Sequence, residues 1–159
     1  MLKKSGFYIF AVLFVFGGQF LMTSGLMTGQ PPPINQTTLS GQNPMPLIGK
    51  GPALLYFWAE WCGVCRGMQS NVDAVSRDSQ VMTVAERSGS GQNVSEYLFK
   101  NQLNWSVVND PDGSIGQAYG VQAVPAMFFI NSTGKIVFTS VGYTSEWGLR
   151  FRLWLAGLL

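Results

Sequence analysis

The segment Phe57-Trp58-Ala59-Glu60-Trp61-Cys62-Gly63-Val64-Cys65 places two cysteines three positions apart, directly after an apolar run. The run predicts a buried central strand, and the residues after Cys65 repeat apolar side chains at helical spacing. At such a strand-to-helix junction, the three-residue step brings both sulfurs onto one face of the helix, close enough to bond. The 159 residues contain no other cysteine, so the pair bonds internally, to a partner's sulfur or to a metal.

The position of each thiol in the helix predicts its role. Cys62 lies at the N-terminus, where unpaired N–H groups and the helix dipole favour a thiolate, so we expect an exposed nucleophile with a pKa below the usual value of about 8.5. Cys65, one turn inside, is expected to be the shielded resolving thiol. Gly63 and Val64 leave backbone N–H groups to stabilise the thiolate. Trp61 is expected to cover one side of the site and offer a partner an apolar surface.

Two other uses of the cysteine pair stay open. A structural disulfide is common in exported domains, but a bridge over two residues closes too short a loop to stabilise much. Cu(I) is the metal that two soft thiolates suit. The chain has no His, which excludes Cys–His and Ser–His–Asp catalysis and His-ligated metals. A net charge of +2 without a basic cluster argues against nucleic acid as a partner.

The N-terminus predicts export. Lys3 and Lys4 precede an uncharged apolar run over residues 7–22, which continues more weakly to Met27 and so approaches the ~20 residues that a bilayer requires. We expect residues 1–27 to form a membrane anchor, with a cleaved signal peptide or a buried soluble helix as alternatives. The polar, Pro-rich residues 28–43 predict an extended linker without packing of its own, and residues 44–159 form the predicted domain.

Within that domain, strands and helices alternate. Apolar runs predict strands over residues 54–59, 81–85, 105–108, 126–130 and 136–139, the last two joined as a hairpin. Helices are expected after Cys65, from Asn93 or Ser95, over residues 115–119 and at the C-terminus. The predicted fold is therefore α/β, with a mixed sheet and helices on both faces.

The last helix is predicted to be amphipathic. Its apolar side is expected to consist of Trp147, Phe151, Trp154, Leu155 and Leu158, with the two arginines elsewhere.

Two motifs resemble signatures of the thioredoxin superfamily. Residues 57–65 resemble its active-site segment, and residues 118–126 resemble its second signature, which carries a cis-proline. Val141-Gly142 is similar to the glycine step before the last helix, and the resemblance spans residues 47–158. Within the superfamily, the chain is similar to the membrane-anchored, exported thioredoxin-like proteins of bacteria, of the TlpA, ResA and CcmG type or the suppressor-of-copper-sensitivity D type.

The resemblance implies a thioredoxin-like fold in which the Val124–Pro125 bond is cis, faces the cysteines and offers the backbone of Val124 to a substrate strand. It implies a thiol–disulfide oxidoreductase, most simply a disulfide reductase tethered to the inner membrane with its domain in the periplasm. Electrons would come from a membrane thiol-transfer protein of the DsbD type, and no cofactor is expected besides the cysteine pair. An oxidase or isomerase, and a Cu(I)-binding module that uses the same pair, are the alternatives.

One position departs from the resemblance. Thioredoxins bury an acidic residue on the strand behind the cysteines, where a carboxylate can take the proton of the resolving thiol. Tyr56 holds that position here and is a poor base at neutral pH. Glu86, after the second strand, is the candidate acid that could approach the site from a neighbouring strand end. Glu60 is expected to face solvent.

Overall fold

The structure is a computed structural model that describes residues 23, 25–44 and 51–159. The apolar run over residues 7–22, on which the predicted anchor rests, lies outside them. In the described part of the chain, no helix has the length and apolar character needed to cross a bilayer. The helices and strands are, in order, β1 (Ala53–Trp58), α1 (Gly63–Ser76), β2 (Gln80–Glu86), α2 (Gly91–Lys100), β3 (Val107–Asp110), α3 (Ser114–Ala118), β4 (Ala126–Ile130), β5 (Ile136–Val141) and α4 (Glu146–Leu158).

The five strands form one mixed sheet in the order β3-β2-β1-β4-β5. β2 runs parallel to β1 and to β3, whereas β4 runs antiparallel to β1 and to β5. β1 has a neighbour on each side and helices on both faces, and all six of its residues are buried. This confirms the predicted α/β fold, the mixed sheet and the hairpin of β4 and β5.

Alternation along the strands divides the core into two clusters. Tyr56 and Trp58 of β1 point into the cluster that α1 and α4 cover, together with both cysteines. Leu55 and Phe57 point into the opposite cluster, which α3 covers. The face on which a residue lies therefore decides whether it can take part in the cysteine site.

Two predicted boundaries are corrected by the structure. The third strand begins at Val107 rather than at Trp105, whose ring instead packs edge-on against Tyr56 and Trp58. The second helix begins at Gly91, because the Ser90 hydroxyl accepts the N–H of Asn93 and caps the helix earlier than expected.

The Pro-rich segment packs on the domain, contrary to the prediction of an unpacked linker. Ile34 is 1% exposed in the cluster beneath α3, and Thr38 pairs with Val108 at the outer edge of β3. The hydroxyl of Tyr119 donates to the carbonyl of Pro32 at 2.8 Å. A proline run cannot supply N–H groups for a sheet, but its carbonyls and the apolar residue after it still find partners on the domain. The described part of this segment is thus a strap held against the sheet.

The C-terminal helix buries a different side from the predicted one. Leu149, Leu153 and Ala156 are buried against the sheet and α1. Four of the five residues predicted for the apolar side are exposed instead: Trp147, Phe151, Trp154 and Leu158. Both sets of residues repeat at helical spacing. The set with the smaller side chains, Leu149, Leu153 and Ala156, is the one that fits between α4 and the sheet.

Candidate thiol–disulfide site

The turn after β1 presents Cys62 as the N-cap of α1. Its backbone is extended (φ −81°, ψ 111°), and its sulfur accepts the N–H of Cys65 at 3.1 Å. A disulfide joins Cys62 to Cys65, with 5.2 Å between their Cα atoms. The sulfur that would carry the negative charge in the reduced protein thus lies where the helix dipole and an N–H group stabilise an anion.

The structure corrects the predicted exposure of Cys62. In the disulfide state Cys62 is 6% exposed and Cys65 is 3% exposed, so both are buried and differ little. The carbonyl oxygen of Val124 lies 3.6 Å from the Cys62 sulfur and covers it from the side. Because a disulfide sulfur carries no hydrogen, this is a packing contact rather than a hydrogen bond.

The segment beside the cysteines is held by the sheet. The Val124–Pro125 peptide bond is cis. β4 begins at the next residue, Ala126, which pairs with Phe57 of β1, and the Pro125 carbonyl accepts the N–H of Gly142 at 2.9 Å. The backbone of Val124 is therefore fixed next to the Cys62 sulfur by β1 on one side and the end of β5 on the other.

Exposed side chains surround the start of α1. Trp61 is 62% exposed, and its Nε1 donates to the Arg87 carbonyl at 3.1 Å, which fixes the edge of the indole. Val64 is 48% exposed, and Gly63 is exposed beside it. These residues form an apolar rim around an otherwise buried disulfide.

Two polar residues that the sequence did not indicate hold the loop before Cys62. Ser88 is 1% exposed; its hydroxyl accepts the N–H of Glu60 at 3.1 Å and donates to the Glu86 carbonyl at 3.2 Å. Arg66 donates from Nη1 to the Glu60 carbonyl at 3.0 Å, which brings a positive charge to the first turn of α1. Arg66 could have been suspected from its position directly after Cys65, whereas nothing in the sequence indicated Ser88.

Behind the cysteines the core is aromatic. Tyr56 and Trp58 are essentially fully buried, and Trp58 packs against Trp105 and Tyr97 at centroid distances of 5.5 and 5.4 Å. Burial, with a smaller contribution from the nearby Tyr97, raises the pKa of Tyr56 above its ordinary value. The tyrosine at this position therefore stays protonated at neutral pH and cannot take a proton from the resolving thiol.

Glu86 is not placed where the sequence suggested. Along β2, Val84 belongs to the cluster beneath α3 and Ala85 to the cluster with the cysteines, so Glu86 falls on the α3 side. There it packs so closely on Gly116 that a Cβ at that glycine would lie 3.0 Å from the Glu86 carboxyl carbon. Burial raises the pKa of Glu86, Arg87 opposes the shift and Asp110 adds to it. The sheet separates Glu86 from the cysteine pair.

Within residues 25–44 and 51–159, no three His, Cys, Asp or Glu side chains cluster in a way that could hold a metal ion.

The sheet order, the disulfide at the start of α1 and the segment of Val124 beside it define a thioredoxin-fold protein with a Cys-x-x-Cys site. The family model described as Redoxin matches residues 38–148, and the chain belongs to this family. This finding confirms the resemblance to the thioredoxin superfamily.

Named relatives fall in the same class. A thioredoxin-like protein of Haemophilus influenzae is 39% identical over 106 residues, which cover 66% of this chain but only 63% of that relative. The thiol:disulfide interchange protein DsbE of Pseudomonas fluorescens biotype C is 28% identical over 155 residues, 92% of this chain and 86% of the relative. The structure of a secreted Mycobacterium tuberculosis disulfide oxidoreductase homologous to E. coli DsbE matches with a TM-score of 0.64 and 28% identity, over 76% of this chain and 93% of that one.

Proposed function

We propose that this protein is a thiol–disulfide oxidoreductase that reduces disulfides in protein substrates. The observation that carries the proposal is the position of the Cys62 sulfur, which caps α1 and accepts the N–H of Cys65 at 3.1 Å. This position stabilises the thiolate, which is the nucleophile in disulfide exchange. The relatives named as a thiol:disulfide interchange protein and a disulfide oxidoreductase support the same chemistry.

The proposed cycle begins with both cysteines reduced. The Cys62 thiolate attacks one sulfur of a substrate disulfide, the substrate S–S bond breaks, and the released substrate thiolate takes a proton. Cys65 then loses its proton and attacks the Cys62 sulfur, which breaks the mixed disulfide, forms the Cys62–Cys65 bond and releases the second substrate thiol. Two electrons and two protons pass to the substrate, and a dithiol donor restores the pair.

The residues around the pair have proposed positioning roles. The carbonyl oxygen of Val124 lies 3.6 Å from the Cys62 sulfur. The backbone of Val124 would pair with the substrate chain beside the cis-proline Pro125. Trp61 and Val64 would contact apolar substrate side chains at the rim. Glu86 has no proposed part in proton transfer, because it lies on the other face of the sheet.

We further propose that residues 1–27 tether the domain to the inner membrane, on its periplasmic side, where a DsbD-type thiol donor would reduce it. The apolar run after Lys3 and Lys4 supports the tether and its orientation. Cell fractionation combined with the intact mass of the recovered protein tests this proposal. A membrane-bound chain of full mass supports it, and a soluble, shortened chain would show a cleaved signal peptide instead.

The reduction potential of the Cys62–Cys65 pair tests the direction of electron flow. The protein is equilibrated with thiol buffers, and the reduced fraction is measured by alkylation and mass. A value near about −270 mV, as in thioredoxin, supports a reductant, and a value near about −120 mV, as in DsbA, would assign disulfide donation instead. Insulin reduction is also measured at saturating copper chelator. An unchanged rate would argue against a copper-binding function of the cysteine pair.

A further inference from the structure

The outer side of α4 carries a row of large apolar side chains that residues 25–44 and 51–159 leave uncovered. Trp147, Phe151, Trp154 and Leu158 follow one another at steps of four, three and four residues, and we call this row the α4 ridge. They are 83%, 58%, 59% and 65% exposed, respectively. The rings of Phe151 and Trp154 stack on each other with their centroids 6.0 Å apart. A contiguous apolar surface of this kind on a soluble domain marks an interaction site.

The domain does not need the α4 ridge for its own core. α4 buries Leu149, Leu153 and Ala156 against α1 and the sheet, which completes the cluster that contains the cysteines. The ridge points away from that cluster, so its four side chains contribute little to folding. Their exposure therefore calls for a partner rather than for a packing explanation.

The charges beside the α4 ridge are compensated within the molecule. Arg150 lies 2.8 Å from the carboxylates of both Asp78 and Glu146. Arg152 donates to the Gly148 carbonyl at 3.1 Å, and its guanidinium carbon lies 5.9 Å from the centre of the Phe129 ring. The two arginines and the two carboxylates together carry no net charge, although both carboxylates pair with Arg150. The ridge therefore has neither the positive excess that anionic lipid headgroups attract nor a charge that would repel a second ridge.

The N-terminal segment enters the domain on the other face of the sheet. Leu26 is buried with Ile34 in the cluster beneath α3, and the N–H of Met27 donates to the Tyr119 carbonyl at 3.0 Å. If residues 7–22 are the proposed membrane anchor, few residues separate the bilayer from Leu26. The bilayer would then approach the α3 side, and the sheet would separate it from the α4 ridge.

We infer that the α4 ridge binds the same ridge of a second copy of this chain, with the two helices antiparallel about a two-fold axis. Apolar residues at alternating steps of three and four form the seam by which two helices pack side by side. Under a two-fold axis each ridge meets itself, so the contact closes at two copies.

The size of the α4 ridge sets the expected strength of this contact. With about 150–250 Å² for each aromatic side chain, the exposed part of the ridge amounts to roughly 500 Å². Pairing two ridges would bury about 1,000 Å² in total, which is the lower limit for a specific interface. We therefore expect a reversible dimer whose population rises with protein concentration, rather than a permanent one.

The dimer would leave the cysteine site open. The loop before α4 contacts α1 through Met68, whose sulfur accepts the N–H of Thr144 at 3.4 Å. α4 itself contacts α1 through Ala74, whose carbonyl accepts from Arg150 at 3.2 Å. Both contacts lie beyond the first turn of α1. Cys62, at the start of α1, lies at the edge of the domain rather than beneath the ridge. Loss of the dimer should not change disulfide reduction per protomer, so this inference and the proposed oxidoreductase function can fail separately.

Sedimentation of the full chain in density-matched detergent tests the inference. The wild type should form dimers, and no larger species, as its concentration rises. Phe151→Glu combined with Trp154→Glu should weaken dimerisation at least tenfold, because pairing would bury four carboxylates without partners. The matched control is Phe99→Glu on α2, where an aromatic residue is 89% exposed away from the ridge, and it should dimerise like the wild type.

Thermal unfolding and insulin reduction accompany the sedimentation series, and all variants should match the wild type in both, since the substituted side chains are exposed. A wild type that stays monomeric would overturn the inference. So would a dimer that persists in the ridge variant, because its contact would then lie elsewhere in the chain. Equal weakening by Phe99→Glu would also overturn it.

Discussion

The N-termini of α1 and α3 lie at the same edge of the sheet on opposite faces, and each binds a side chain that can be an anion. At α3 the Asp110 carboxylate accepts the N–H groups of Ile115 at 3.1 Å and Gly116 at 2.8 Å, and it is 1% exposed. At α1 the Cys62 sulfur accepts one N–H, from Cys65, at 3.1 Å. The positive end of each helix thus stabilises a side chain for a different purpose. At α3 it stabilises the fold, because the Asp110 carboxylate is buried and accepts two N–H groups, and at α1 it favours the reactive thiolate of Cys62, whose sulfur accepts only one.

Removal of the sulfur should have the largest effect on function of any change at these two helix ends. Cys62→Ser should reduce insulin disulfide reduction to the uncatalysed rate, because the attacking thiolate is lost. Cys65→Ser should still attack and then accumulate a mixed disulfide, which non-reducing electrophoresis and intact mass detect. Accumulation in Cys62→Ser rather than in Cys65→Ser would reverse the assigned roles.

Removal of the carboxylate should instead reduce stability. Asp110→Ala leaves two buried N–H groups without their acceptor, so we expect urea unfolding to show a loss of about 2–3 kcal/mol. Reduction potential and insulin reduction by the folded fraction should stay unchanged. The control is Asp73→Ala, whose partner Arg77 is 75% exposed and whose ion pair should contribute at most about 0.5 kcal/mol. A shift in potential with Asp110→Ala would mean that the two helix ends are coupled.

The contrast between these two helix ends was only half predictable from the sequence. The Cys62 site follows from a local pattern, an apolar strand followed by a Cys-x-x-Cys pair, and needs no knowledge of distant contacts. The role of Asp110 does not follow in this way, because no local pattern shows which backbone N–H groups its carboxylate accepts. Its carboxylate becomes a cap for α3 because Gly113 adopts a left-handed conformation (φ +77°) and turns the chain back towards it.

Tertiary packing also decided the features that the sequence assigned wrongly. α4 carries two apolar rows at helical spacing, and hydropathy alone cannot tell which row the sheet can accommodate. The Pro-rich strap packs through Ile34, an isolated apolar residue among polar neighbours that gives no periodic signal. Glu86, by contrast, could have been placed from the alternation along β2, because it shares the parity of Met82 and Val84 and not that of Ala85.

A smaller change at the start of α1 would weaken the stabilisation of the Cys62 thiolate without removing the sulfur. Val64→Pro removes one N–H from the first turn of α1, a position where proline is tolerated. The N–H of Val64 acts on the sulfur through the field of the helix end rather than through a hydrogen bond, so the reduced form should lose at most about 0.5 kcal/mol of stabilisation, which lowers the reduction potential by about 10 mV. Val64→Ala keeps the N–H and is the control for the lost side chain, which is 48% exposed. A potential that rises with Val64→Pro would mean that this N–H does not stabilise the thiolate.

The smallest expected effect concerns Glu86, the second carboxylate on the α3 side of the sheet. Burial raises the pKa of Glu86, with Asp110 adding to the shift and Arg87 opposing it. The folded state therefore holds this proton more tightly than the unfolded state, and stability falls as pH rises from the ordinary glutamate pKa of about 4.3 through the raised value. Glu86→Gln does not titrate, so its free energy of unfolding relative to the wild type should increase over this window. Glu96→Gln, on the exposed surface of α2, controls for the lost charge. Parallel pH profiles for Glu86→Gln and the wild type in urea unfolding would contradict a raised pKa for Glu86.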